Sequence, residues 1–350
     1  MRRSAAAALA APLSAMLLLS GCSSIPEDWK TPAFMKIGEE KVDKRLPKVT
    51  GKVGEEPKLD FPDISPPKKQ ISGVVKKGAG EGALVRPEDK IVANVVDYSW
   101  TGKGKTKKAQ STYDKKTPVL LDLATIPDEL RRDLVDNPVG SRVVYVFPPQ
   151  QAQPGQPAPP KGSSVSVVDI QGRYGKGDTL RGEQATDGGE DGMPTVTAKD
   201  AGEPKIKVPD SDPPKDVESV DLIEGDGPKV EKNQQIVAQY KGVTWKDSKV
   251  FDSTWKKGGV PAAFLIGGGQ VIKGWDEGLV GKKVGSRVLL TVPEDKAYGK
   301  DAAKQQAPEG ALVFVVDILG SLDSAPPLDE EGGGKPESEA DPKDDDAKKE

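Results

Sequence analysis

The sequence predicts an α+β protein that contains two tandem copies of one domain, each a curved antiparallel sheet packed on one short helix. Three observations lead to this fold class: short strings recur at a nearly constant spacing, runs of β-branched residues suggest strands, and one apolar stripe has the period of a helix. The recurrence is the clearest of these. Pro-Val-Gly-Ser-Arg-Val at 138–143 returns as Lys-Val-Gly-Ser-Arg-Val at 283–288.

The repeat extends well beyond these six residues. Pro-Asp-Ile-Ser-Pro-Pro at 62–67 matches Pro-Asp-Ser-Asp-Pro-Pro at 209–214, and Val-Val-Asp-Ile occurs at both 167–170 and 315–318. The order of the strings is preserved, and the offset stays near 145 residues. Two copies are too few for a solenoid, so the pattern indicates tandem globular domains at 57–175 and 204–322.

Each copy contains the elements that this fold needs. Residues of β-branched and apolar type predict three strands in the second copy: Ile236–Tyr240, Arg287–Val292 and Leu312–Leu319. Between the first two strands, Ile272, Trp275 and Leu279 share one face of a helix. The first copy repeats that stripe between Ile126 and Leu134. One helix packed on one sheet is the simplest arrangement that buries both apolar faces.

The composition excludes several kinds of chemistry. The 350 residues include no histidine, which removes Ser-His-Asp and Cys-His catalysis and imidazole metal sites. The single cysteine excludes an intrachain disulfide. A formal net charge of −4 without a long basic stretch argues against a nucleic-acid partner. We therefore expect neither a metal nor another cofactor.

The N-terminus has the pattern of an export signal. Two arginines precede an apolar run, Ala5–Leu19, which is too short for a comfortable transmembrane helix. The run ends in Leu-Ser-Gly-Cys, which resembles a bacterial lipobox. The resemblance implies a lipoprotein signal peptide at 1–21 and a lipid on Cys22, which would anchor the protein to the cell membrane, facing the extracellular or cell-envelope side. The alternative is an ordinary secretory signal with a chance cysteine.

Three polar segments flank the two copies. Residues 22–56 are rich in Lys, Pro and Gly, and we expect a flexible tether. Residues 176–203 are Gly-rich and acidic, which predicts a flexible linker. Residues 323–350 carry a charge run, which predicts a disordered acidic tail.

The second copy resembles the FKBP-type peptidyl-prolyl cis/trans isomerases over about residues 218–320. The strings Val-Phe-Asp-Ser-Thr-Trp, Gln-Val-Ile-Lys-Gly-Trp-Asp-Glu-Gly, Ala-Tyr-Gly and Ala-Leu-Val-Phe-Val-Val-Asp-Ile occur in the family's order. The resemblance implies two FKBP-like domains and a proline isomerase that assists the folding of exported proteins. A chain without histidine suits this chemistry. An X-Pro bond rotates over about 18–20 kcal/mol without bond cleavage, so a dry pocket with well-placed donors suffices.

The resemblance assigns roles to eight residues. It implies four catalytic residues, Tyr240, Phe251, Asp252 and Tyr298. It implies four substrate-binding residues, Val271, Ile272, Trp275 and Phe314, with Trp275 as the pocket floor and the Ile272 N–H facing a substrate carbonyl. The implied partners are X-Pro segments of exported proteins and, as a further ligand, a macrolide. Any one of these aromatic residues alone would be better explained as core.

Several positions depart from the family pattern. Ala262 stands where a bulky aromatic residue is usual, and Gln305 and Gln306 stand where two branched aliphatic residues are usual. The arginine that usually follows the Phe-Asp pair is replaced by Lys256 or Lys257. These departures keep an alternative open, in which both copies are non-catalytic proline-peptide-binding or chaperone modules at the cell surface.

The first copy has lost the residues of the pocket. The residues aligned with Tyr240, Phe251, Asp252, Ile272, Trp275 and Phe314 are Val96, Ala109, Gln110, Pro127, Leu130 and Ser166. A segment rich in Pro and Gln replaces Ala-Tyr-Gly. We therefore expect a degenerate FKBP-like domain without isomerase activity at 57–175, and the shared Gly-Ser-Arg-Val string serves the fold.

Overall fold

The computed structural model describes residues 42–79, 84–150, 161–180, 182–198 and 202–323. These residues form two antiparallel sheets with few helices, and a two-stranded hairpin precedes each sheet. The first repeat comprises β1 (Lys48–Thr50), β2 (Lys58–Asp60), β3 (Ile71–Lys76), β4 (Lys90–Gly102), β5 (Lys105–Ser111), α1 (Thr112–Lys115), β6 (Val119–Asp122), α2 (Asp128–Leu134), β7 (Arg142–Phe147) and β8 (Ser163–Tyr174). The second repeat comprises β9 (Thr195–Thr197), β10 (Lys205–Lys207), β11 (Glu218–Ile223), β12 (Gln234–Thr244), β13 (Val250–Ser253), β14 (Ala262–Ile266), α3 (Lys273–Leu279), β15 (Arg287–Val292) and β16 (Leu312–Asp323).

Both sheets have the same strand order. The first is β3-β7-β8-β4-β5 and the second is β11-β15-β16-β12-β13, while β6 and β14 pair with β4 and β12. The last strand of each repeat, β8 or β16, lies at the centre of its sheet. A register shift falls at the same place in each long strand, between Val92 and Ala93 and between Val237 and Ala238. The duplicated strings therefore correspond to duplicated topology.

A short helix packs on one face of each sheet. Trp275 and Leu279 of α3 join a buried cluster with strand residues of the second sheet, and Leu134 of α2 does the same in the first. The acidic first turn and basic last turn of α2 complement the helix dipole. The apolar stripe read from the sequence thus corresponds to the face that α2 and α3 bury.

The preceding hairpin covers the other face of each sheet. Val196 of β9 is fully buried and packs with Leu289 and Val313, and Leu46 packs with Trp100 ahead of the first sheet. This corrects the expectation of a flexible linker at 176–203 and of a tether that continues to residue 56. In a three-residue strand only one side chain faces the core, so apolar periodicity does not detect such a hairpin.

The shared Gly-Ser-Arg string ties loops to the sheet in both repeats. Gly140 and Gly285 have φ angles of +87° and +93°, a backbone region that favours glycine. In the first repeat the Ser141 hydroxyl accepts the N–H of Gly78 at 3.0 Å. In the second repeat the Ser286 hydroxyl accepts the N–H of Gly225, also at 3.0 Å. The string therefore stabilises a loop, which accounts for its presence in both repeats.

The arginine of the string forms a buried ion pair in each repeat. Arg142 donates to both carboxylate oxygens of Asp169, at 2.5 and 2.6 Å, and Arg287 donates to both of Asp317 at 2.7 Å. All four side chains are at most 1% exposed. Arg142 also donates to backbone carbonyls between Thr50 and Glu55, so it joins the sheet to the loop of the first hairpin.

The predicted export signal lies outside the described residues, and so do Cys22 and the tail from residue 324 onward. Among the residues that are described, no helix is both long enough and apolar enough to cross a membrane.

Candidate active site

Five aromatic rings form a cluster on the helix side of the second sheet. Trp275 of α3 lies at its centre and meets Tyr240, Phe264 and Phe314 edge to face, with centroid distances of 5.5, 4.8 and 5.4 Å. Phe251 meets Phe314 at 5.6 Å. Trp275 and Phe314 are 3% exposed, whereas the other rings are only partly buried. The cluster therefore has a buried floor and partly open walls, as an apolar binding pocket requires.

A glycine opposite Phe251 makes room for this ring. A Cβ atom at Gly242 would lie 2.5 Å from Cζ of Phe251, closer than carbon atoms can approach. Gly242 pairs with Asp252 across the β12–β13 ladder and with Phe314 across the β12–β16 ladder. The position of Phe251 in the pocket thus depends on the absence of a side chain at residue 242.

Asp252 is the charged group beside the pocket. Its carboxylate accepts the Tyr240 hydroxyl at 2.7 Å and the Ser253 N–H at 2.7 Å, and it pairs with Lys257 Nζ at 2.8 Å. Burial alone would raise the pKa of Asp252, but the hydrogen bonds from Lys257 and Tyr240 outweigh it and hold that pKa below its ordinary value. Asp252 is therefore ionised near neutral pH, and Lys257 is the basic residue that pairs with it.

Tyr240 is held as a hydrogen-bond donor by the same contact. Burial raises its pKa far above the ordinary value, and the hydrogen bond to the charged Asp252 raises it further. Its hydroxyl is thus committed to Asp252, while its ring forms a wall of the aromatic cluster.

Two further donors border the cluster. Ile272 directly precedes α3, and its N–H has no acceptor among the described residues. The ring of Tyr298 packs against the cluster, and no protein partner for its hydroxyl occurs in the described part of the chain. Burial raises the pKa of Tyr298, and the charge of Asp252 adds to the effect. Both groups can donate to a carbonyl oxygen brought into the pocket.

Asp276 fixes the loop that leads to Ile272. Its two carboxylate oxygens accept the N–H groups of Gly267 and Gly269 at 2.6 and 2.9 Å. Both glycines have positive φ angles, and the hydrogen bonds to Asp276 stabilise the loop in this conformation. Val271, at the end of this loop, packs against the aromatic cluster.

All eight predicted pocket residues lie in or beside this cluster, whereas Cys22 lies outside the described residues. Sequence reasoning missed Phe264 and Asp276. Phe264 stands two residues after Ala262, so strand alternation alone places it on the same face. Asp276, in the first turn of α3, could have been recognised as an acceptor for nearby backbone N–H groups. Gln305 and Gln306 are exposed.

The equivalent place in the first repeat is filled by other rings. Tyr145 of β7 is 2% exposed, and its hydroxyl donates to the carbonyl of Leu130 at 2.6 Å. Phe147 stacks on Tyr145 at 6.0 Å. Leu130 is the third residue of α2, as Trp275 is the third of α3. Rings from β7 therefore occupy the region that the tryptophan occupies in the second repeat.

The strand register corrects one aligned pair. Tyr240 pairs with Val316, and Val95 pairs with Val168, where Val316 and Val168 are the second residues of the shared Val-Val-Asp-Ile string. Val95, and not Val96, is therefore the counterpart of Tyr240. The pairs Asp252/Gln110 and Phe314/Ser166 agree with the ladders.

Comparison with known proteins places residues 227–319 in one family, because they match the model described as FKBP-type peptidyl-prolyl cis-trans isomerase. An FK506-binding protein of Streptomyces anulatus is 40% identical over 33% of this chain and 94% of its own length. A probable FK506-binding protein of Corynebacterium glutamicum is 34% identical over 33% of this chain and 96% of its own length. The crystal structure of AtFKBP13 is 34% identical over 31% of this chain and 94% of its own, with a TM-score of 0.28. The sequence matches show that this chain belongs to the FKBP-type peptidyl-prolyl cis-trans isomerases.

Proposed function

We propose that the second repeat is the catalytic domain of a lipid-anchored prolyl isomerase that assists the folding of exported proteins. One observation carries the catalytic assignment. The aromatic cluster lies beside a paired carboxylate and two donors, the Ile272 N–H and the Tyr298 hydroxyl, that lack acceptors among the described residues. The first repeat has the same strand order without this combination.

The proposed reaction is rotation about an X-Pro bond in a dry pocket. The planar amide is stabilised by charge separation between nitrogen and oxygen, and an apolar floor such as Trp275 disfavours that separation. The proline ring packs on Trp275 between Phe251 and Phe314. Ile272 and Tyr298 donate to carbonyl oxygens on either side of the rotating bond, which holds the peptide while the bond turns. No proton is transferred, and no covalent intermediate forms.

We propose that the first repeat is a non-catalytic FKBP-like domain. Tyr145 and Phe147 fill its pocket region, and the residue before α2 is Pro127, which has no N–H. Among the described residues of the first repeat, the position before α2 therefore offers no backbone donor, and Tyr145 lies against the Leu130 carbonyl of that helix.

A protease-coupled assay on the full chain tests the catalytic assignment. Tyr298→Phe removes one donor, and we expect kcat/KM to fall about two- to tenfold, the range of one hydrogen bond. Tyr145→Phe is the matched control in the first repeat and leaves kcat/KM unchanged. A folded wild-type chain without any acceleration would instead support the alternative, a tethered proline-peptide-binding or chaperone module.

The names of the relatives suggest a macrolide ligand, and we propose that this pocket binds macrolides of the FK506 type. Ala262 offers a ligand less apolar contact than an aromatic residue would. The exposed Gln305 and Gln306 add little apolar contact. We therefore expect Ala262→Phe to tighten binding of FK506 in calorimetry. Unchanged affinity would place the ligand away from Ala262.

The membrane location is a separate proposal that rests on the Leu-Ser-Gly-Cys string. A diacylated cysteine gives stable anchoring, because two acyl chains bind a bilayer far better than one. Metabolic labelling with a radioactive fatty acid should label the wild-type chain and fail with Cys22→Ser. Labelling that persists in Cys22→Ser would remove this assignment.

A further inference from the structure

The lysine that pairs with Asp252 is carried by a glycine-rich loop, in which the Lys257 N–H donates to the carbonyls of Ser253 and Thr254 at 3.1 Å. Lys257 is 69% exposed, and the two residues after it, Gly258 and Gly259, have φ angles of +100° and +75°. A lysine ammonium is a point charge on a flexible stem, unlike the planar fork of an arginine. Its distance from Asp252 therefore depends on how the loop backbone is held.

Two donors from outside the loop meet at one of its carbonyl groups. The oxygen of Gly259 accepts Nε2 of Gln239 at 2.8 Å and the backbone N–H of Gly177 at 3.3 Å. Gln239 is 1% exposed and directly precedes Tyr240 on β12, so its side chain leaves the strand on the face opposite the pocket. Gly177 lies three residues beyond the end of β8.

The segment that contains Gly177 is docked on the second repeat. Tyr174, the last residue of β8, lies close to Gly320 of β16. A Cβ atom built on Gly320 would be 1.9 Å from the hydroxyl oxygen of Tyr174. Further along, Leu180 is 7% exposed, and the Ala185 N–H donates to the carbonyl of Leu222 on β11 at 2.8 Å. Contacts at both ends thus fix the path of the chain past Gly259.

We propose that the connector 174–180 and Gln239 are positioning elements of the isomerase, because they hold the Gly259 carbonyl and thereby the loop that sets Lys257 against Asp252. The proposal rests on the proposed role of the pocket carboxylate. It gives the first repeat a part in catalysis although its own pocket region is filled. The connector acts from behind the sheet and touches no substrate.

A double-mutant cycle in the full chain tests this proposal. Gln239→Leu removes one donor at similar volume, and Tyr174→Ala releases the start of the connector. We expect each to lower kcat/KM at pH 7 about two- to fivefold, the size of an ion pair with one exposed partner. Glu183→Gln, at an exposed position just beyond the connector, is the matched control and leaves kcat/KM at the wild-type value.

The decisive comparison is non-additivity with Lys257→Met. If the connector acts through Lys257, Gln239→Leu lowers kcat/KM in the wild type and has no further effect in Lys257→Met. The low-pH fall in kcat/KM should also move to higher pH in Gln239→Leu and Tyr174→Ala. Additive losses without such a movement would mean that these contacts only stabilise the fold. Full activity in Lys257→Met and Asp252→Asn would instead contradict the proposed role of the carboxylate.

Discussion

In the first repeat, β7 supplies Tyr145 and Phe147 to the space beneath α2, whereas in the second repeat α3 supplies Trp275 and β16 supplies Phe314. The strand order is the same, so the space between sheet and helix can be occupied by aromatic side chains from a strand or from the helix. In the first repeat, the rings of Tyr145 and Phe147 come from strand β7 and fill the space beneath α2. In the second repeat the central ring comes from the helix, as Trp275 of α3, and meets rings from three strands. The origin of the central ring, β7 in the first repeat and α3 in the second, therefore distinguishes two sheets of the same strand order.

A second difference concerns one backbone atom. Pro127 and Ile272 precede their helices with almost identical angles, φ −55° and ψ 145° against φ −60° and ψ 147°. Only Ile272 has an N–H to donate. The two repeats therefore share the path of the chain at this position, and only the second repeat has the backbone donor.

The largest expected effect concerns the buried arginine–aspartate ion pair that both repeats contain. Arg287→Met should lower the free energy of unfolding by about 3–5 kcal/mol, because it leaves Asp317 buried without its partner. Arg142→Met should cost a similar amount through Asp169. Urea denaturation measures both. Lys304→Met, which removes an exposed ion pair, is the control and should cost little. A small loss in either arginine variant would mean that the buried pairs do not hold the scaffold.

The next prediction places one residue of the first repeat, Asp97, at the corresponding position of the second repeat, Gly242. Gly242 corresponds to Asp97, which is tolerated because Ala109 stands where Phe251 stands in the second repeat. Gly242→Asp should displace the Phe251 ring at a cost of about 1–3 kcal/mol and lower kcat/KM about 10- to 100-fold. Asp97→Gly should leave kcat/KM unchanged. Normal kcat/KM in Gly242→Asp would show that Phe251 is dispensable.

Ile272→Pro tests the backbone donor. The φ angle of −60° already suits proline, so we expect little change in the urea midpoint. Loss of the N–H should lower kcat/KM about two- to tenfold. Ile272→Val keeps the N–H with a similar side chain and should retain most activity. Equal losses in both variants would assign the effect to the side chain.

The smallest expected effect is the acid limb of the pH profile. The pKa of Asp252 is held below its ordinary value, so the ionised form is present at the ordinary pKa of an aspartate and is lost only as the pH falls through the lowered pKa. We expect kcat/KM to decline in that window. Asp252→Asn should abolish the decline and make this position resemble Gln110 of the first repeat. An unchanged acid limb in Asp252→Asn would assign the titration to another carboxylate.

The sequence was sufficient to predict antiparallel sheets with few helices, since runs of β-branched residues such as those around the Val-Val-Asp-Ile strings predict strands. It was insufficient for β1–β2 and β9–β10, whose strands are too short to show a period. It also missed Tyr145 as a pocket-filling ring, because only the folded structure brings the Tyr145 hydroxyl of β7 to the Leu130 carbonyl of α2. The roles of the eight pocket residues stay predictions that these variants test.

The central position of β8 and β16 has a consequence for the order of folding. Each sheet needs its final strand to join β7 to β4, or β15 to β12, so neither sheet can close before its last strand is available. The first repeat is complete at Tyr174, nearly 150 residues before β16 ends at Asp323. We therefore expect the first repeat to be able to fold before β16 is available, so that Tyr174 is in place when the second repeat forms.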